Sequence, residues 1–129
     1  MPRALIVMIL LAVSVQAEAL DYRCNVEKKL NFDNVYSAVE IEKGQISVLV
    51  EEKGDSAYLS RCSFSPSVHE VTCDRYEVDK IVFDEKVKIK KYYVFRSQFD
   101  VQVFSDLHFV ENNGRGGIAF GKCNLVTAK

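Results

Sequence analysis

The stretch Asn112-Asn113-Gly114-Arg115-Gly116-Gly117 is the most distinctive chemical feature of this chain. Glycine and asparagine tolerate the dihedrals of a tight turn, and such a turn can aim successive backbone N–H groups at an anion while the Arg115 guanidinium adds charge. A rigid loop tipped by arginine also suits a protein that presses into a partner's cleft. The same residues make an ordinary hairpin turn, with Asn113-Gly114 supplying positive φ and Gly116-Gly117 a bulge. No Gly-Lys-Ser/Thr follows, so the segment is not a P-loop. Asn112, Asn113, Gly114, Arg115 and Gly116 are the candidate contacts with a partner.

The other reactive residue types are thinly spread. Lys86, Lys88 and Lys90 share one face of a strand by alternation, either a basic stripe for an acidic partner or a solvated edge, where lysines block sheet-to-sheet addition. Lys91 falls by the same alternation on the inward face between Ile89 and Tyr93, unless a bulge at Lys90-Lys91 turns it out. Tyr92, Tyr93, Phe95, Phe99 and Phe104 crowd into two neighbouring strands, where they line an apolar cavity or form cross-strand core pairs. His69 and His108 are far apart, with no second ligand motif beside either, so no metal site is expected. Ser105, Asp106 and His108 contain the residue types of a catalytic triad, but they are neighbours on one strand, and triad members come from separate segments. No catalytic residue, cofactor or enzymatic activity is expected.

The four cysteines, Cys24, Cys62, Cys73 and Cys123, lack the Cys-x-x-Cys spacing of a zinc site. Their even number in an exported chain favours two disulfides. A hairpin folded about Pro66 and Ser67 brings Cys62 to Cys73 and leaves Cys24 to close the domain with Cys123.

The elements that must position these residues alternate with a period of two. The reading gives strands over Leu20 to Lys28, Gln45 to Glu51, Ala57 to Phe64, Val68 to Val78, Ile81 to Asp84, Val87 to Arg96, Phe99 to Phe104, His108 to Glu111 and Ile118 to Leu125. Ser37-Ala38-Val39-Glu40 matches a capping box, which predicts one short helical turn over Ser37 to Lys43. The prediction is an all-β fold: an antiparallel meander of about eight strands closed into a small barrel, with a flattened sandwich as the alternative.

Ahead of this domain, Arg3, the apolar run Ala4 to Val15 and the small exit residues around Ala17 read as a signal peptide, residues 1–17, with a second exit after Ala19. The apolar run is too short to span a bilayer as a helix. Residues 18–129 then form one domain without a stable membrane anchor. Losing Arg3 takes the formal charge of −1 to −2, which gives no reason to expect nucleic acid as a partner.

Tyr22-x-Cys24 near the mature start and Cys123-Asn124-Leu125 near the end resemble the termini of the bacterial periplasmic C-type lysozyme inhibitors. That resemblance implies a small eight-stranded barrel with an end-closing disulfide. The Ser-Gly-x-x-Tyr inhibitory loop of that family is absent from this sequence. The expectation is an exported, periplasmic or secreted, non-catalytic binding or inhibitor-like module of the cell envelope with a protein partner. The alternative is a carrier that holds a small ligand inside the barrel.

Overall fold

The computed structural model describes residues 20–127; the expected signal peptide, 1–17, lies outside them. The chain runs β1 (Leu20–Leu30), α1 (Ala38–Gly44), β2 (Ser47–Lys53), β3 (Ser56–Ser65), β4 (Glu70–Glu77), β5 (Lys80–Asp84), β6 (Ile89–Val94), β7 (Phe99–Val103), β8 (His108–Asn112) and β9 (Ile118–Thr127). The nine strands, one for each of the nine segments named from the sequence, form one antiparallel sheet in the order β4-β3-β2-β1-β9-β8-β7-β6-β5. Every neighbour in sequence is a neighbour in space except at Val78-Asp79, where the chain passes from one edge of the sheet to the other. There the Val78 N–H donates to the Ala57 carbonyl and the Asp79 N–H to that of Tyr93. The meander is curled into a half-barrel, and β4 and β5 remain its two edges.

Alternation decides which side chains enter the hollow. Cys24, Val26, Val48, Val50, Leu59, Tyr92, Val94, Phe99, Val101, Val103, Phe109 and Cys123 are buried on the concave face. Burying one large member such as Leu59 or Phe109 stabilises by roughly 1.5–3 kcal/mol. A bulge between Val26 and Lys28 shifts the register of β1, so that Lys29 rather than Lys28 pairs with the concave Ala119. Cys24 faces Cys123 across β1 and β9, Cys62 faces Cys73 across β3 and β4, and both pairs are joined as disulfides.

Helix α1 starts where its capping box places it. Ser37 Oγ accepts from the Glu40 N–H while the Glu40 carboxylate accepts from the Ser37 N–H, both at 3.2 Å. Several strand boundaries move inward from those expected: β2 begins at Ser47, β4 begins at Glu70 because residues 66–69 form a turn, and β6 is held to Ile89–Val94 by turns over 85–88 and 95–98. The turn over 85–88 corrects the reading of the lysines. Lys86 and Lys88 belong to the turn, and Lys90 shares the concave side with Tyr92, while Lys91 stands on the opposite face with Tyr93.

Candidate functional site

Three loops converge at one end of the half-barrel. The segment after β1 is held by Asn31, whose Oδ1 accepts from the N–H groups of Asp33 and Asn34, and by the return bond from the Tyr36 N–H to Lys29. The turn between β6 and β7 covers residues 95–98. The third loop is the glycine-rich connection between β8 and β9.

That connection is a fully built turn. Asn112 Oδ1 accepts from the Gly114 N–H, and Asn113 Oδ1 accepts from both Arg115 and Gly117, at 2.7–2.9 Å. The Asn113 N–H donates to the Gly117 carbonyl. Four of the backbone donors are thus consumed inside the loop, as the hairpin-turn reading of these residues requires and the anion-nest alternative does not. Asparagine side chains at 112 and 113 reach those donors before any ligand can.

Gly114 and Gly116 have φ of +73° and +86°, so the positive φ falls on the two glycines rather than on Asn113-Gly114. A Cβ at Gly114 would lie 1.7 Å from the Gln98 carbonyl oxygen, and one at Gly116 would lie 2.2 Å from Phe32 Cε2. The glycines therefore allow this loop to seat against both of its neighbours. Arg115 is exposed at the tip, with Nη1 turned back to the Asn113 carbonyl at 3.2 Å.

Phe32 is the residue that alternation could not reveal. It packs on Gly116 yet is 88% exposed, with Val35 at 76% and Val39 of α1 at 58% along the same segment of chain. A large aromatic left in the solvent beside an arginine-tipped loop needs an explanation. The signal in the sequence was Phe32 itself, an aromatic placed in a polar loop.

Beneath the glycine-rich loop a cleft of about 190 Å³ opens into the half-barrel, lined by Lys29, Arg61, Asp74, Tyr76, Glu111 and Asn113 among others. Arg61 is concave because it pairs with Val48, and Glu111 because it pairs with Val101. Their side chains meet across the hollow, with Arg61 Nη2 2.7 Å from Glu111 Oε1. Arg61 also lies over the Phe99 ring at 5.0 Å, and Tyr76 meets that ring edge-on. A second spoke crosses further along, where the Tyr92 hydroxyl donates to Glu52 Oε1 at 2.7 Å and Lys90 pairs with the same oxygen. Burial first, then the hydrogen bond to Glu52 and its charge, push the Tyr92 phenol far above its ordinary pKa.

The remaining sequence candidates are dispersed. Tyr92 and Phe99 are core, Tyr93 and Phe95 stack on each other, and Phe104 lies half-buried on the convex side. The five aromatics therefore do not line one cavity. His69 closes the β3–β4 turn with φ of 54°. His108 Nδ1 lies 2.7 Å from Asp106 Oδ2, with both side chains more than half exposed. The backbone N–H of His108 first, then its ring, hold the Asp106 carboxyl below its usual value. The pair lines an open depression of about 600 Å³ together with Phe104, Val110 and Phe120, and with both side chains more than half exposed it lacks the desolvation that helps to activate a nucleophile. Among the described residues no group of His, Cys, Asp and Glu is placed to hold a metal ion.

The chain matches no family model, no curated protein and no solved structure. The functional reading therefore rests on the geometry alone.

Proposed function

We propose that this protein is an exported, non-catalytic binding or inhibitor-like module of the cell envelope that grips another protein through its loop-bearing end. The observation that carries the reading is Phe32, 88% exposed and seated on Gly116 beside the rigid Arg115 tip. A preformed loop loses little conformational entropy on binding, and an aromatic next to an arginine is the usual make-up of an interface centre. The partner surface it fits is an apolar pocket with a carboxylate at its rim. Two disulfides support an oxidising compartment, periplasmic or extracellular, and among the described residues no helix is long and apolar enough to cross a membrane.

The carrier reading draws less support. Tyr92, Phe109 and Leu59 fill the hollow, and the cleft left inside it, about 190 Å³, is smaller than the ~300–1,000 Å³ of common ligand pockets, while the larger depressions of about 700 and 600 Å³ are open ones on the convex side, beside α1 and beside Phe104.

The test immobilises the mature domain and compares its capture from envelope extract and secretions with that of a Phe32→Ser/Arg115→Ala variant. The reading expects one captured protein that the variant loses while its thermal unfolding is unchanged. Equal capture by both proteins, or none by either, contradicts it.

A further inference from the structure

The two edges of the sheet are chemically unlike, and β4 is the longer and the more exposed. From Glu70 to Arg75 each residue is exposed, as is Glu77, on a strand of eight residues. Natural sheets guard such an edge with a bulge, a proline, a covering segment or charge, and of these the eight residues of β4 carry only charge, in Glu70, Asp74, Arg75 and Glu77.

The direction of its free hydrogen-bonding groups follows from the ladder. The Cα atoms of Cys62 and Cys73 are 4.1 Å apart, the close spacing of a non-hydrogen-bonded pair. Val78, on the alternate parity, donates its N–H back to Ala57 of β3. Thr72, Asp74 and Tyr76 therefore bond to β3, while Val71, Cys73 and Arg75 direct their N–H and C=O groups outward.

The charge on this edge is one-sided. Glu70, Asp74 and Glu77 stand against Arg75 alone, and Arg75 is turned back over the Tyr58 ring at 4.0 Å and lies 3.7 Å from Glu51. On the facing edge, β5 leaves Ile81 and Phe83 40% and 53% exposed, although both pair with concave residues of β6. On β4 itself, a strand laid along the edge would set alternate side chains beside Val71, 43% exposed, and Cys73.

We infer that the β4 edge accepts an extended, net-basic peptide segment of another protein, one with an apolar residue at every second position, which adds as a further strand. A second copy of this chain is the poorer occupant, because two such edges would bring acidic strands together. Asp74 of β4 lines the cleft beneath the glycine-rich loop, but the ladder groups of Val71, Cys73 and Arg75 do not involve Phe32 or Arg115, so Phe32→Ser leaves them intact and the two readings fail independently.

The experiment follows backbone amide exchange by NMR on the disulfide-bonded protein, with a blocked peptide Lys-Val-Lys-Val-Lys-Val-Lys at about 1 mM, the weak-binding range. The expected result is slowing by about tenfold or more at Val71, Cys73 and Arg75, with no slowing from the glutamate counterpart. The same basic peptide N-methylated at every residue has neither edge free to form the ladder and should protect nothing. No protection by the basic peptide, equal protection by the acidic or N-methylated one, or protection that grows with protein concentration alone would each overturn the proposal, the last in favour of self-pairing.

Discussion

Arg61 on β3 and Glu111 on β8 are four strands apart in the sheet, yet their side chains meet across the hollow at 2.7 Å. The pair ties the β1–β4 half of the meander to the β5–β9 half at the end where the loops converge. Glu111 is almost wholly buried, and Arg61 reaches it from a position about one-third exposed.

Removing the cation leaves a carboxylate in the hollow without a counter-charge. Arg61→Ala is expected to cost roughly 2–4 kcal/mol, at the lower part of the range for a broken buried pair because solvent still reaches the arginine. The double variant Arg61→Met/Glu111→Gln should recover a large part of that loss. Urea unfolding of the single and double variants measures the difference; additive losses would show that the two side chains do not depend on each other.

Tyr92 predicts an alkaline limit to stability. Its phenol keeps its proton in the folded protein while the unfolded chain loses it above pH ~10. The folded state then binds more protons than the unfolded one, so stability is level below that pH and falls as pH rises above it. A spectrophotometric titration should show one of the six tyrosines ionising only on unfolding. Tyr92→Phe should remove that component of the pH dependence; an unchanged slope would locate it elsewhere.

Much of this architecture is written in residue alternation, and the exceptions have physical causes. The run Ile46, Val48, Val50 shows its buried side directly, and Ser37 with Glu40 marks the helix start. Lys90 and Lys91 were exchanged because the turn over 85–88 takes residues that the alternation assigned to the strand. Arg61 was legible, since it shares parity with Ala57 and Leu59, but a charged residue on a core face reads as an exception until its partner is known. Glu111 lies 50 residues away, and the pairing is set by the curl of the sheet. Phe32 followed no period, and its exposure depends on how the loop seats on Gly116.

The two disulfides should contribute unequally. Cys24 and Cys123 are 99 residues apart in sequence and Cys62 and Cys73 are 11 apart. On the chain-entropy model, replacing the first pair by serine costs about 4–5 kcal/mol and the second about 3 kcal/mol. Chemical denaturation of the two double variants checks the order, and a larger loss from Cys62→Ser/Cys73→Ser would reverse it.

Gly116 gives the loop surface a test that spares its contact side chains. Gly116→Ala meets the Phe32 ring and forces an unfavourable φ, so the Phe32–loop contact must open. The expected outcome is partner binding weakened about tenfold or more while the remainder of the amide spectrum is preserved. Binding at native strength in a variant whose Phe32 environment has shifted would show that the seating of Phe32 is irrelevant.

The central claim, that the loop-bearing end holds a protein partner, is tested most directly by photo-crosslinking in the producing cells. A photoreactive residue is placed at Phe32 and, in a separate control, at Val82 on the far edge strand. The account predicts one discrete crosslinked protein from position 32 that disappears with Arg115→Ala, and none of that size from position 82. The same crosslink from both positions, or none from position 32 in protein that is exported and folded, would contradict it.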